Sequence, residues 1–195
     1  MVLNKLNWVC YFNFYSISKY RKELQYNIFI YYGYNFSDQL FNISFFSKGL
    51  MIRNLEQKDK VTWNKLYSKY ADFYKVPMNT VILDTLWGWI HDENHIVNGI
   101  CFELENKIVG IAHYRTMPRP IKGQYIGFLD DLFVEPDFRG QKIAQKLINH
   151  LKSLSKGNNW DGIRWITHFS NENAKKLYDK IANNTGFELY ELKRD

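Results

Sequence analysis

The run LDDLFVEPDFRGQKIAQKLI, Leu129 to Ile148, constrains the chain more than any other stretch. Phe128 to Val134 is mostly apolar, with two aspartates inside it. Glu135 to Phe138 is a turn containing Pro136, and from Arg139 a basic, polar loop becomes a helix. Ile143, Leu147, Leu151 and Leu154 fall on one face of that helix. A strand, a tight turn and a helix start make a cradle for an anion such as a pyrophosphate. The first N–H groups of a helix lack internal partners, and the macrodipole adds positive charge there. Arg139 and Lys142 add to it. Alone this pattern is not specific, since a basic residue and a glycine open many helices.

A second segment narrows the reading. NENAKKLYDKIANNTGF, Asn171 to Phe187, is a helix with Ala174, Leu177, Tyr178, Ile181 and Ala182 on one side and Gly186 as its stop. Together the two segments resemble the GCN5-related N-acetyltransferase (GNAT) superfamily, over Met51 to Asp195. The superfamily's acetyl-CoA motif, Arg/Gln-x-x-Gly-x-Gly/Ala after a strand, is matched by Arg139, Gly140, Gln141, Lys142, Ile143 and Ala144. Its later Asn-x-x-Ala-x-x-Leu-Tyr and Gly-Phe are matched by Asn171, Ala174, Leu177, Tyr178, Gly186 and Phe187. Lys142 stands where the superfamily usually has glycine, and only glycine is indifferent to positive φ.

At 195 residues the chain can bury a full core. Hydrophobic content is 46%, so the chain is not of the disordered class. The net charge of +6 is spread out, with no basic helix, which argues against nucleic-acid binding. Cys10 and Cys101 form no C-x-x-C, and the histidines are scattered, so no metal site or disulfide framework is expected. A reducing, cytoplasmic setting fits.

Met1 to Leu50 differs from the rest: it holds 15 of the 34 aromatic residues and no alanine, proline or histidine. No apolar run there reaches the ~18 residues of a membrane span. It reads as an aromatic-rich extension or as an over-extended start, with the domain proper occupying 51–195.

From Met51 the order is regular. Ile52–Leu55 reads as a strand, and Asp59–Tyr74 as a helix with Trp63, Leu66, Tyr67, Tyr70 and Phe73 at three- and four-residue spacing. Asn79 caps a second helix. Ile100–Leu104 and Ile108–Tyr114 form a hairpin about Glu105–Lys107, and Met117–Gly123 is a loop. A strand, Gln124–Val134, precedes the central helix; Ile163–Thr167 and Phe187–Leu192 read as further strands around the Asn171 helix. This is an α/β mixed sheet with helices on both faces.

The resemblance implies an acetyl-CoA-dependent N-acetyltransferase acting on a primary amine. Two parallel strands would splay apart, and the pantetheine arm would bond the freed edge at Leu132, Phe133 and Val134. An N–H near Val134 would polarise the thioester carbonyl, and the pyrophosphate would rest on the amides of Arg139 to Ala144. Tyr178 would protonate the leaving sulfur, although its spacing equally permits a core tyrosine. Asn171 would lie near the pantetheine arm, or cap its helix, or do both. Asp130 and Asp131, adjacent on a strand, should face opposite sides of the sheet. Their setting resembles the diamine and polyamine acetyltransferases, and the wider pattern resembles the small yeast enzymes acting on histones, polyamines or D-amino acids. By that match Asp130 would take the amine proton through water, and Asp131 would bind a cationic substrate or orient a neighbour. The plainer reading pairs one aspartate with Arg115 or Arg139. The acceptor is then a small-molecule amine, such as a polyamine, diamino acid or amino acid. A protein lysine or N-terminus, a non-catalytic acetyl-CoA-binding module and a homodimer stay open.

Overall fold

The computed structural model describes residues 50–194. All but the last residue of the aromatic-rich stretch 1–50 therefore lies outside the described residues. Five strands form one sheet in the order β1-β2-β3-β4-β5: Leu50–Asn54, Val97–Leu104, Lys107–Arg119, Gln124–Val134 and Trp160–Trp165. Neighbours from β1 to β4 run antiparallel, while β5 joins β4 in parallel. The parallel step needs a crossover, supplied by a helix, α3, Ile143–Gly157. Glu105 and Asn106, both at positive φ, close the tight β2–β3 hairpin.

Alternation along the strands feeds two cores. Cys101, Ile111 and Phe133 point to one face, packing with Trp63 and Leu66 of α1 (Lys60–Tyr74) and Leu83, Leu86 and Trp87 of α2 (Thr80–Ile90). Phe102, Ala112 and Val134 point to the other, with Ile143, Leu147 and Leu151 of α3. Tyr178 and Ile181 of α4, Glu172–Ile181, pack against that second core. Asn79 caps α2 as expected, its Oδ1 accepting from the Ile82 N–H at 2.9 Å. Arg53 of β1 ties the start of α1 to the sheet by bonding both Asp59, at 2.5 Å, and Glu103, at 2.5 Å.

Three sequence expectations are corrected. Met117–Arg119 is strand rather than loop: Met117 pairs with Ile126 and Pro118 with Tyr125, since proline needs only to avoid donating to the ladder. The strand expected at Ile163–Thr167 starts at Trp160 and stops at Trp165. Phe187–Leu192 forms no strand. Its alternation meets the period of a strand, but a strand also needs a paired backbone, and no ladder among the described residues reaches it. Phe187, Leu189, Tyr190 and Leu192 are exposed.

β4 and β5 approach closely at Gly127, which pairs with Ile163. A Cβ there would lie 2.6 Å from Ile163 Cδ1 and 2.6 Å from Trp160 Cε3. The stiff indole cannot yield as a chain end would, so overpacking results. Gly127→Ala should lower stability by about 1–3 kcal/mol in urea unfolding. An unchanged midpoint would mean that the two strands do not meet this closely.

Candidate functional site

β4 supplies the centre of the site. Its ladder to β5 runs from Tyr125–Trp160 to Leu129–Trp165 and ends there. Beyond Leu129 the edge that faced β5 has no strand partner among the described residues, and Leu132, Phe133 and Val134 lie on this parted stretch.

The ladder to β3 slips at the same place. His113 pairs with Asp131 and Tyr114 with Leu129, leaving Asp130 as an extra residue. The slip breaks the alternation, and the aspartates do not face opposite sides of the sheet. Arg115 and His113, two apart on β3, share a face. Arg115 Nε donates to both oxygens of Asp130 at 3.1 Å, while His113 Nδ1 lies 2.8 Å from Asp131 Oδ2. Both carboxylates therefore lie on the α1 face. Leu129 and Leu132, three apart, join the core of the opposite face.

α1 surrounds Asp131. Trp63 Nε1 lies 2.8 Å from His113 Nε2. Indole nitrogen only donates, so His113 Nε2 must accept and Nδ1 must carry the proton given to Asp131. The Tyr67 hydroxyl also donates to Asp131, at 3.1 Å, and Tyr70 adds to the stabilisation of the same carboxylate. Burial works to raise the Asp131 pKa, but the His113 and tyrosine bonds outweigh it and leave the group below the usual carboxylate range. The two phenols are pushed up, by burial first and then by the charge of Asp131. Asp130 is raised: burial outweighs the opposing pull of Arg115.

The loop into α3 has the form of an anion cradle. Gly140 lies at φ 81° and Lys142 at φ 60°, so the lysine does adopt the left-handed conformation that glycine would take freely. The Lys142 side chain does not cap the start of α3, and the first turn of the helix holds no acidic residue. Gln141, Ile143 and Ala144 complete the turn, with Ile143 buried. Arg139 is held back onto β4: its Nε donates to the Val134 carbonyl at 3.1 Å, and its guanidinium lies 5.7 Å from the Phe133 ring centroid. The first amides of α3 and the parted β4 edge fit an extended ligand that ends in phosphates.

On the other side of the parted strands, Tyr178 of α4 packs edge-on to Trp165, with ring centroids 5.2 Å apart. Burial, with Tyr74 adding, pushes its hydroxyl up to about 12. Asn171 caps α4 by accepting from the Ala174 N–H at 3.3 Å, and its Nδ2 lies 3.2 Å from Thr167 Oγ1. The sequence reading passed over His113 and left Arg115 as one of two partners. The i, i+4, i+7 spacing of Trp63, Tyr67 and Tyr70 marked their shared face, but not the histidine across from it. Among the described residues no group of three or more His, Cys, Asp or Glu is placed to hold a metal. No helix among them is long and apolar enough to cross a membrane.

A mixed sheet with helices on both faces and a parallel pair that parts midway defines an α/β class of fold with an open strand edge at its centre. The match to the Acetyltransferase (GNAT) family spans residues 63–182, and the chain belongs to that family. It is 27% identical over 143 residues to the D-amino-acid N-acetyltransferase HPA3 of Saccharomyces cerevisiae, covering 72% of this chain and 89% of that one. The fold matches a ribosomal-protein-alanine N-acetyltransferase from Brucella melitensis biovar Abortus 2308, with TM-score 0.64 and 21% identity over 74% of this chain and 99% of the other. It also matches the aminoglycoside N-acetyltransferase AAC(6')-Iy in complex with CoA, with TM-score 0.64 and 16% identity over 75% and 95% of the two chains.

Asp131 titrates below its unfolded value, so its bonds stabilise the fold above the ordinary carboxylate pKa. That stability is lost as pH falls through the folded value. Asp131→Asn should cost about 1–3 kcal/mol at pH 7. The gap to wild type should hold down to about pH 5 and narrow only below about pH 4. Urea unfolding across pH checks this; a gap that closes between pH 7 and 5 would assign the effect to another group.

Proposed function

We propose that this chain transfers an acetyl group from acetyl-CoA to a primary amine of a small molecule: a polyamine, a diamino acid or an amino acid. The observation that carries the reading is the bulge at Asp130, which brings two carboxylates to one face where β4 parts from β5. The 27% identity to the yeast D-amino-acid N-acetyltransferase adds support for a small acceptor. Acetyl-CoA, when bound, supplies the thioester.

The chain's own residues divide the work. The edge of β4 at Leu132, Phe133 and Val134 that parts from β5 is open to an extended arm, although the Val134 carbonyl is already bonded by Arg139, and an N–H near Val134 can polarise a carbonyl placed there. The amides from Arg139 to Ala144, with the charges of Arg139 and Lys142, receive phosphates. Asn171 caps α4 and ties its start to Thr167, just past the end of β5, near where the pantetheine arm would lie. Asp130 accepts the proton of the acceptor ammonium through water. Asp131, with His113, Tyr67 and Tyr70 on its carboxylate, orients its neighbours rather than binding a cation directly. Tyr178, its hydroxyl pushed up to about 12, keeps its proton at neutral pH and can give it to the leaving sulfur. A cytoplasmic setting accords with Cys101, buried as a free thiol.

Thiol release from acetyl-CoA across a panel of amines tests the reading. Amine-dependent release is expected; cofactor binding without turnover on any amine would contradict it. Tyr178→Phe keeps the ring against Trp165 and removes only the hydroxyl. It should lower kcat by about 100- to 10,000-fold and leave acetyl-CoA affinity near that of wild type. An unchanged kcat, with chemistry limiting, would return Tyr178 to a packing role.

A further inference from the structure

The acceptor side of the site carries a cation as well as its carboxylates. Arg115 is 34% exposed at its side chain and Asp130 is 27% exposed, so both face solvent in part. Arg115 spends only Nε on Asp130, at 3.1 Å to each oxygen. Its two terminal amino groups make no hydrogen bond among the described residues. The guanidinium carbon stands over the Phe128 ring, 5.1 Å from its centroid, which gives the side chain a support beside the sheet. A planar pair of N–H donors on a fixed support is the geometry that takes a carboxylate in two parallel bonds.

Resting on the acetyltransferase reading above, we infer that Arg115 binds the carboxylate of the acceptor, and that the site takes a zwitterionic α-amino acid rather than a polyamine. Two observations carry this. The first is spacing. In an α-amino acid the ammonium and the carboxylate hang from one carbon, so they suit two protein groups of opposite charge that lie close together. Asp130 and Arg115 do touch. The amines of a polyamine are separated by several carbons and contain no anion for Arg115. The second is charge. Asp131 is turned away from the acceptor by the neutral donors His113 and Tyr67. What remains at the partly exposed face is one carboxylate beside one guanidinium, Asp130 and Arg115, a pair that matches the two charges of a zwitterion. A polycation would place further positive charge beside the guanidinium.

Steady-state kinetics on the full chain test this with alanine and phenylalanine in both enantiomers, their primary amides, and spermidine. The amides keep the amine and lose only the anion. Their amines are also less basic, so amine ionisation alone would favour the amides. We expect kcat/KM to be about 10- to 100-fold higher for an amino acid than for its amide, carried mainly by KM. Arg115→Gln should bring that ratio close to one, and Arg115→Lys should restore part of it. Calorimetric binding of acetyl-CoA to each variant checks that the fold is kept. Equal use of acid and amide by wild type, preference for spermidine, or an Arg115→Gln loss of equal size on acid and amide would each overturn the inference while leaving the acetyltransferase reading intact. Turnover on no amine at all would overturn both.

Discussion

A strand that alternates cannot point two neighbouring side chains the same way, and the site depends on one residue that breaks this rule. Asp130 is carried by β4 without a partner on β3. Its insertion turns Asp130 and Asp131 to the α1 face together, where Arg115 and His113 meet them. Two adjacent carboxylates on a half-buried surface repel each other and lose water. The guanidinium offsets one, and the His113 and Tyr67 donors offset the other. A bulge also bends and twists its strand. The ladder to β5 ends at Leu129, the residue before the bulge, and the free edge of β4 begins there. Acid pair and open edge therefore share one local cause.

The buried network behind Asp131 gives the bulge a fixed shape. Trp63, His113, Asp131 and Tyr67 form a chain in which every polar hydrogen has an acceptor. Such networks specify a single arrangement when they are complete and are costly when they are not. The tryptophan fixes the tautomer, the tautomer aims a proton at Asp131, and Asp131 holds its segment of β4 against α1. The two tyrosines, on successive turns of α1, close the network from the helix side. His113 is 1% exposed, so it acts through position rather than by meeting a substrate.

Much of this was legible in the residues. The helical period of Trp63, Leu66, Tyr67 and Tyr70 located α1 and its buried face, Asn79 located the start of α2, and the Arg139 to Ala144 run located the turn into α3. What escaped was non-local. Nothing adjacent to Asp130 announces a bulge, because a bulge is a relation between two strands. His113 sits 50 positions from the tryptophan that fixes its proton, so no spacing rule joins them. The strand expected at Phe187–Leu192 failed for the same reason: alternation is local, whereas pairing is not. Lys142 shows the reverse case. A residue poorly suited to positive φ adopts it at 60°, because the strand before and the helix after leave the turn little choice.

In the proposed reaction the bulge presents Asp130 to the acceptor while Asp131 acts through position. The most direct measurement is the pH dependence of kcat/KM for wild type, Asp130→Asn and Asp131→Asn, with an amine that wild type acetylates. A primary amine is mostly protonated at pH 7, since its reference pKa is about 10.4. Asp130→Asn should lose about 100- to 10,000-fold at pH 7 and regain part of it as rising pH supplies free amine. Asp131→Asn should keep the shape of the wild-type profile. A loss confined to Asp131→Asn, with Asp130→Asn following wild type, would contradict the account.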